Sequence, residues 1–511
     1  MSIANKVDEL YANMLVSLSN RMYRKKLKKV SQCFMTLAKL CDVVGLDTEQ
    51  FDSEVKARLN NTVSEICRFG NIFTKDSVCV QLYGDSDDIM HRAIKRGALV
   101  CITDHKIDGI PCIVVENTAA TFADMCRVHR DKYAIKTTVI SGSIGKTTTK
   151  QMVEAVYKKS INIMCDSGND NRLDNIGCFC QHIPDGVEHL IAECSEGTPG
   201  MLTQMSKVLH PDIAIISAID KSHILHYGSE EGILNEIRSI TDCLSENGLC
   251  ITSLDEENTA NLIKDKRVAY VSAKSREADY FADNISVSES GLSFDIVEKS
   301  TGKAYTVKLK NVFGKHNVYP AMCAFAAGVE LGIAYDKIID GLSSYKSSGI
   351  RQNVYKARGI TVYADCYNAV AKSVRSAIEG ACNIPVKGKR IAVLGDIAEA
   401  GDYSESTHLE IADIVNKSDF KVFLAFGPQI CDAVGKTTFR EDLTVIPCHT
   451  RKELNKAIKK YAKRGDLVLF KSSHSGHLSR SIKAAFPFAY LLQEMKRLPL
   501  RIKWHLKLVT H

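Results

Sequence analysis

The sequence predicts an α/β protein of about three domains, each built around a mostly parallel β-sheet. The chain has 511 residues, and domains usually contain roughly 100–200 residues each. Apolar residues make up 45% and charged residues 25%, which is the composition of an ordinary globular protein with a large core. Short apolar runs alternate with segments of helical periodicity, and this alternation favours parallel sheets with helical crossovers.

Charge and cysteine content argue against several classes of protein. Sixty-seven basic residues against 60 acidic ones give a net charge of +7, so no nucleic-acid partner is expected. Eighteen cysteines are scattered without a CxxC pair, which predicts reduced buried thiols rather than disulfides. No apolar run approaches the roughly 18 residues of a membrane span, and Asp8 and Glu9 interrupt a signal-peptide pattern. A cytoplasmic location is expected.

Residues 1–68 are predicted to form a helical extension with two apolar stripes. The first stripe comprises Leu10, Met14, Leu15 and Leu18, and the second comprises Phe34, Leu37, Leu40 and Cys41. The basic stretch between them, residues 21–29, is either a solvated face or a weak contact surface for anionic lipid or a protein partner. Residues 69–135 are predicted to form a small α/β domain, with strands at 77–82, 98–102 and 112–115.

Residues 136–346 are predicted to form the central domain, which opens with KTTVISGSIGKTTTK, residues 136–150. Val139 and Ile140 end a buried strand, and helical spacing begins after Thr147, so the glycine-bracketed loop turns the chain from strand to helix. Glycines let backbone N–H groups surround phosphate oxygens, Lys146 adds a mobile charge, and the Thr147 hydroxyl suits Mg²⁺. The loop is shorter than GxxxxGK[ST], so a glycine-capped, lysine-rich helix start is the alternative.

Further strands are predicted at 189–192, 213–217, 249–252 and 268–271, which makes the central sheet doubly wound. Two polar residues, Glu193 and His223, follow ends of these strands, where ligands of such sheets bind. A helix-capping acid and a surface histidine are the alternatives. Their coincidence with a Lys-Thr loop favours a site for a metal and a nucleotide.

Residues 347–486 are predicted to form a C-terminal Rossmann-like domain, with strands at 359–363, 390–394, 421–425 and 467–470. The glycine spacing of GDIAEAG, residues 395–401, is not GxGxxG, so a dinucleotide site is not supported. Residues 487–511 form a basic tail that contains Trp504. This tail is either a weak contact with anionic membrane or a solvated or partner-packed segment.

Nine short motifs, in order along residues 70–485, resemble the Mur ligase family, most closely its D-alanyl-D-alanine-adding members. They are SGSIGKTTTK (141–150), the SGND-N and NIG segment (167–177), AECSEGTPG (192–200), HILHYGS (223–229), FGKHNVYPAMCA (313–324), GIRQ (349–352), ADCYNA (364–369) with Ser373, VLGDIAEAG (393–401) with His408, and FKSS (470–473).

The resemblance implies a three-domain ligase with a central ATP-binding P-loop sheet and the cofactors ATP and Mg²⁺. In this family ATP converts a carboxylate to an acyl phosphate, which an amine then attacks to give an amide. The implied nucleotide-binding residues are Gly142, Ser143, Gly145, Lys146, Thr147, Thr148, Asn317, Arg351 and Asp365. The implied metal ligands are Thr147, Glu193 and His223, and the implied catalytic set is Lys146, Glu193, His223, Arg351 and Asp365.

The chain departs from the family pattern at several positions. Residues 230–240, EEGILNEIRSI, contain no lysine where relatives carry a carbamylated lysine that bridges a second metal, and Ile237 stands in that register. Glu230, Glu231 and Glu236 are candidate substitutes. Ser195 replaces a glycine and Val370-Ala371 replaces Asn-Pro.

The expected function is ATP-dependent addition of an amino acid or dipeptide to a carboxylate-ended, nucleotide-linked cell-wall precursor. One alternative is a Mur-type ligase that makes a different amide. The other is a catalytically weak, ATP-binding scaffold of wall synthesis.

Overall fold

The computed structural model describes residues 35–68, 75–166, 171–219, 227–347, 350–398 and 401–493. The stripe at Leu10–Leu18, the basic stretch 21–29, His223 and Trp504 lie outside these residues. The described α-helices are α1 (Leu37–Val43), α2 (Ser53–Lys56), α3 (Asp87–Lys95), α4 (Thr118–Arg130), α5 (Lys146–Tyr157), α6 (Leu173–Gln181), α7 (Met201–Leu209), α8 (Glu230–Arg238), α9 (Glu257–Ala260), α10 (Val318–Glu330), α11 (Tyr335–Ser344), α12 (Ala371–Asn383), α13 (Ser404–Lys417), α14 (Pro428–Lys436), α15 (Arg451–Tyr461) and α16 (Leu478–Ala485).

Nineteen strands are described, and they form three sheets. The strands are β1 (Ile66–Arg68), β2 (Val78–Val80), β3 (Val100–Thr103), β4 (Cys112–Val114), β5 (Lys136–Ser141), β6 (Ile163–Cys165), β7 (His189–Glu193), β8 (Ile213–Ile216), β9 (Leu249–Ser253), β10 (Arg267–Ser272), β11 (Tyr280–Ser288), β12 (Gly291–Glu298), β13 (Ala304–Lys310), β14 (Asn353–Ala357), β15 (Ile360–Asp365), β16 (Arg390–Gly395), β17 (Phe420–Phe426), β18 (Thr444–Cys448) and β19 (Leu467–Lys471).

The first sheet has four parallel strands in the order β1-β2-β3-β4. The three strands predicted for this region are confirmed. Strand β1 lies inside residues 1–68, so the helical assignment is wrong at Ile66–Arg68, where three residues are too few for a periodic signal. Helix α1 buries Leu37, Leu40 and Cys41, as the second apolar stripe predicts.

The central sheet has nine strands in the order β13-β12-β11-β10-β9-β8-β5-β7-β6. The seven strands from β6 at one edge of the sheet through β11, including β5, run parallel to one another. Strands β12 and β13 add an antiparallel edge. From β5 the chain first builds β6 and β7 on one side and then crosses to β8 on the other. The carboxyl end of β5 is therefore a topological switch point, where doubly wound sheets bind ligands. The predicted doubly wound sheet is confirmed.

Helices cover both faces of the central sheet. On one face, α5, α10 and α11 contribute Val156, Phe325 and Ile338 to a core with the strands. On the other face, α4, α6, α7 and α8 form a second core, which is continuous with the core of the first sheet and includes Val78. The first and central sheets thus share one apolar core.

The third sheet has the order β14-β15-β19-β16-β17-β18 and is parallel except for β14. Helices α12, α13 and α14 pack on one face, and α15 and α16 pack on the other. The four strands predicted here are confirmed, with boundaries that differ by one or two residues. Across the described ranges, no helix combines the length and apolar composition that a bilayer crossing requires.

Candidate active site

The glycine-bracketed loop connects β5 to α5 at the switch point, as the sequence predicts. Gly142 has a φ of 119°, and a Cβ there would lie 2.4 Å from Ser217 Oγ, so the position requires glycine. Gly145, with a φ of 91°, is the N-cap of α5. The backbone N–H groups of Ser143 and Ile144 donate to the Ala218 carbonyl at 3.0 and 2.9 Å. These bonds hold the loop against the segment that follows β8.

Lys146 lies at the start of α5 and pairs with an acid that the sequence analysis did not single out. Its Nζ lies 3.0 Å from Glu196 Oε2, and it also donates to the Gly142 carbonyl. The side chains of Lys146 and Glu196 are only 12% and 1% exposed. Glu196 follows β7 within the AECSEGTPG motif. A buried carboxylate therefore holds the lysine that is expected to face phosphate.

Glu193 ends β7 and is fully enclosed by the site. Its Oε1 accepts hydrogen bonds from Thr147 Oγ1 at 3.0 Å and from Asn171 Nδ2 at 3.1 Å. Burial alone would raise the pKa of Glu193, but the charges of Lys150, Arg351 and Lys146 hold that pKa below its usual value. The carboxylate thus points at the P-loop threonine and stays ionised, which a mere helix cap would not require.

Lys150 is a second buried lysine in α5 and was also missed. Its Nζ lies 2.8 Å from Asp166 Oδ2 and 3.3 Å from Glu193 Oε2. Asp166 Oδ1 in turn accepts the Glu193 backbone N–H at 3.0 Å. Burial opposes the lysine charge, but Asp166 and Glu193 raise the pKa of Lys150 overall. The sequence signal for Lys150 is its spacing. It lies four residues after Lys146, and positions four apart share one face of a helix.

Arg351 extends the site toward the third sheet. Its guanidinium carbon lies 3.6 Å from the centroid of the Tyr367 ring, a cation–π contact. Burial lowers the pKa of Arg351, and the opposing charge of Glu193 is the strongest influence that raises it. Arg351 is therefore electrostatically coupled to the carboxylate beside the P-loop.

Asn317 and Asp365 belong to a neighbouring network joined by Gln352. Asn317 Nδ2 donates to Gln352 Oε1 at 2.9 Å, and the Gln352 backbone N–H donates to Asp365 Oδ1 at 3.2 Å. Asp365 Oδ2 also pairs with Lys471 Nζ at 2.9 Å, where β15 and β19 end side by side. Lys471 lies in the FKSS motif but was assigned no role from sequence. The network couples the central sheet to the third sheet.

The remaining expected site residues lie as follows. Thr148 lies in the first turn of α5, and His223 lies outside the described residues. Lys146, Thr147, Glu193 and Arg351 are thus brought together, and Asn317 and Asp365 form the adjacent network.

The residues considered for a second metal have other partners. Glu236 caps the N-terminus of α7, since its Oε2 accepts from Gly200 N at 2.7 Å and its Oε1 from Leu202 N at 2.8 Å. Ile237 is fully buried in the apolar core. Glu230 accepts from Asn258 Nδ2 at 2.9 Å, and Glu231 is exposed. Glu236 therefore serves helix α7 instead of a metal.

Comparison with known proteins identifies two domain types. Residues 140–328 match the Mur ligase middle domain, and residues 351–474 match the Mur ligase glutamate ligase domain. The chain is 29% identical over 405 residues to the UDP-N-acetylmuramoyl-tripeptide–D-alanyl-D-alanine ligase of Bacillus subtilis, a match that covers 78% of this chain and 87% of the relative. The corresponding ligase of Escherichia coli is 24% identical over 403 residues, covering 77% and 86%.

Solved structures share the fold. A crystal structure of MurF from Acinetobacter baumannii superposes with a TM-score of 0.76 at 21% identity and covers 89% of this chain and 99% of its own. MurF from Thermotoga maritima in complex with ADP gives a TM-score of 0.70 at 22% identity, covering 81% and 96%. With two matched domains in family order and the three-sheet architecture, the chain belongs to the Mur ligase family.

Proposed function

We propose that the protein is an ATP-dependent ligase that joins an amino acid or dipeptide to the carboxylate end of a nucleotide-linked muramyl peptide. D-alanyl-D-alanine is the leading candidate for the amine, because the names of the relatives specify it. The observation that carries the proposal is the cluster of Lys146, Thr147 and Glu193 at the switch point of the central sheet. The cluster offers a lysine, a hydroxyl and an ionised carboxylate beside a glycine-rich loop.

The reaction has two bond-forming steps. A carboxylate oxygen of the acceptor attacks the γ-phosphorus of ATP, the bond to ADP breaks, and an acyl phosphate forms. The amine nitrogen then attacks the acyl carbon, phosphate leaves, and the amine loses a proton to a base as the amide forms.

The charges of the site serve the first step, in which two anions must meet. Lys146 binds the phosphates once it exchanges Glu196 for them, and Arg351 adds a second positive charge from the side of the third sheet. Positioned charges of this kind stabilise phosphoryl transfer because they need no reorganisation during the reaction. The stacked Tyr367 ring fixes the guanidinium of Arg351 and limits its access to water.

The donor atoms beside the loop fit Mg²⁺. Thr147 Oγ1 and Glu193 Oε1 are hard oxygen ligands 3.0 Å apart, and Mg²⁺ prefers such ligands together with phosphate oxygens. Bound Mg²⁺ would neutralise phosphate charge. Lys150 holds the other carboxylate oxygen, Glu193 Oε2, and so orients Oε1 toward Thr147. His223 is the third proposed ligand.

Asn317 and Asp365 would hold the nucleoside end of ATP. Gln352 joins them, and Lys471 neutralises Asp365, so the network presents amide and carboxylate groups in fixed positions. We also propose a cytoplasmic location, which agrees with the free thiols of the described cysteines.

A catalytically weak ATP-binding scaffold is the second candidate. The buried Glu196 carboxylate on Lys146 and the apolar Ile237 in the register of the metal-bridging lysine favour it. Glu196 neutralises the charge of Lys146, and Ile237 cannot supply the carbamate that would hold a second Mg²⁺. Both features therefore reduce the positive charge available to the transferred phosphoryl group.

Product analysis separates these candidates. The full-length protein is incubated with ATP, Mg²⁺, UDP-linked muramyl tripeptide and D-alanyl-D-alanine, and ADP and new masses are measured. The ligase gives ADP and the pentapeptide product only when both substrates are present, and omission of either is the control. ATP binding without any product supports the scaffold. If ATP does not bind at all, the nucleotide-site assignment fails along with both candidates.

A further inference from the structure

Three side chains of metal-ligand type converge where the first sheet contacts helix α6. Cys178 Sγ lies 3.8 Å from Glu65 Oε1, and His182 Nε2 lies 4.0 Å from the same carboxylate oxygen. One ligand atom from each of the three residues lies within 4.8 Å of the others. This cluster is separate from the nucleotide site, since Asn171 precedes α6 and the cluster lies at its other end.

The local structure explains why these residues meet. Cys178 and His182 are four residues apart at the end of α6, so they project from one helix face. Glu65 directly precedes β1, and the buried Gln181 side chain fixes the neighbouring strand residue. Gln181 accepts from Ile66 N at 2.8 Å and donates to Ile66 O at 2.9 Å. These two bonds hold the glutamate against the helix independently of the cluster.

A backbone carbonyl orients the histidine ring so that Nε2 faces Glu65. His182 Nδ1 lies 2.8 Å from the Cys178 carbonyl, an acceptor, so Nδ1 carries the proton and donates it. Nε2, the nitrogen nearer Glu65, is the one that would bind a metal; burial lowers the pKa of His182, but Cys178 and Glu65 outweigh burial and raise it to about 9, so the ion has to displace a proton from Nε2. A backbone carbonyl that fixes the far nitrogen of a ligating histidine is a common feature of metal sites.

The donor set and its spacing suit zinc. Thiolate, imidazole and carboxylate are the usual zinc ligands, with bond lengths of about 2.0–2.3 Å. Around a tetrahedral ion such bonds place donor atoms roughly 3.3–3.8 Å apart. The sulfur–oxygen separation of 3.8 Å needs to contract by roughly 0.2–0.3 Å, and the nitrogen–oxygen separation of 4.0 Å by roughly 0.6–0.7 Å, to match such a site.

We propose that Glu65, Cys178 and His182 bind one Zn²⁺ ion that links the first sheet to helix α6. The Glu65 side chain is 4% exposed and that of His182 is 14% exposed, so the site is largely enclosed, and a water would complete a tetrahedral ligand set. The ion joins two parts of the fold and takes no part in amide formation.

Cobalt titration tests the site, because Co²⁺ replaces Zn²⁺ and reports its ligands. The full-length protein is stripped with chelator and titrated with Co²⁺ and then Zn²⁺ in the absence of nucleotide. We expect one equivalent of Co²⁺ with a near-ultraviolet thiolate charge-transfer band, which Zn²⁺ removes. Cys178→Ser should abolish the band, and His182→Gln and Glu65→Gln should weaken binding at least tenfold. Cys382→Ser, a partly exposed cysteine in the third sheet region, is the matched control and should bind normally.

Thermal unfolding provides a second readout if the cysteine variant folds poorly. Zn²⁺ should raise the Tm of the stripped wild type and of Cys382→Ser, but not of His182→Gln. Absence of a stoichiometric cobalt band in the wild type would overturn the proposal. An unchanged band in Cys178→Ser, or an unchanged Zn²⁺ stabilisation in His182→Gln, would overturn it equally.

Discussion

Lys146 Nζ and Glu196 Oε2 form a buried ion pair, 3.0 Å apart, inside the loop that is proposed to bind ATP. Lys146 cannot pair fully with the phosphates of ATP while the Glu196 carboxylate stays beside it, because the phosphates and the carboxylate are anions that compete for one cation. We therefore expect the pair to influence the affinity of the proposed nucleotide site as well as the stability of the loop.

Removing the charge of Glu196 should strengthen nucleotide binding. Glu196→Gln removes a buried negative charge that would repel the phosphates of ATP and compete for Lys146. We therefore expect the Kd for ATP to fall by about three- to tenfold. Isothermal titration measures the change. Glu154→Gln is the control, because it alters an acid of α5 that pairs with Lys158, and it should bind ATP like the wild type. Weaker binding by Glu196→Gln would mean that Glu196 orients Lys146 for phosphate.

Truncating Lys146 should cost stability as well as turnover. Lys146→Ala leaves Glu196 buried without its cation, and breaking a buried pair costs about 3–5 kcal/mol in free energy of unfolding. The double variant Lys146→Ala/Glu196→Gln should recover most of that stability but no ligase activity. Urea unfolding and ADP release measure the two effects separately. Recovered activity in the double variant would rule out a phosphate-binding role for Lys146.

Glu236 should act on stability and not on metal dependence. Glu236→Ala removes both acceptors from the start of α7, and the loss of such a cap costs about 1–2 kcal/mol. The Mg²⁺ concentration for half-maximal activity should not change, and added bicarbonate should have no effect on either protein, since Ile237 cannot be carbamylated. A shifted Mg²⁺ requirement, or activation of a CO₂-depleted sample by bicarbonate, would contradict this assignment.

His189 should make the fold sensitive to mild acid. Its Nε2 lies 2.8 Å from Thr138 Oγ1, and burial, aided by Lys136, lowers the pKa of His189 to about 3. As pH falls, the unfolded chain, in which the pKa of histidine is near 6.5, takes up a proton before the folded chain does. The free energy of unfolding is therefore unaffected by protonation of His189 above about pH 6.5 and declines as pH falls toward 3.

The wild type should therefore lose about 2 kcal/mol more free energy of unfolding than His189→Leu between pH 7 and pH 5. Urea titrations at both pH values give the difference. His91→Leu, which replaces an exposed histidine of α3, should retain the acid sensitivity of the wild type. Equal pH dependence in the wild type and His189→Leu would show that the buried ring is not responsible.

Local patterns in the sequence predict much of the fold and part of the site. The apolar run before Gly142 and the helical spacing after Thr147 define the strand, loop and helix, and Glu193 is found because it follows a strand. Strands β11 to β13 were missed although alternating apolar residues such as Leu292, Phe294 and Ile296 indicate a half-buried antiparallel sheet. The predicted domain boundaries and residue roles remain predictions.

Other contacts have no signal in the local sequence. The pair of Lys146 and Glu196 depends on the path of the chain after β7, and no periodicity describes that path. Gln352 joins Asn317 to Asp365 from a left-handed backbone position, with a φ of 45°, which is uncommon for a residue with a side chain. Such contacts arise from loop conformation and from the packing of sheets against each other.

The shared core of the first and central sheets limits how this protein can be recombined with its relatives. Helix α4 places Phe122 against Gly177 of α6, where an added Cβ would lie 2.5 Å from the ring. A chimera that exchanged the segment before β5 would bring a foreign α4 onto this contact. The exchanged part must therefore carry α6 with it, so the four-stranded sheet and this helix beside the central sheet form a single unit of exchange.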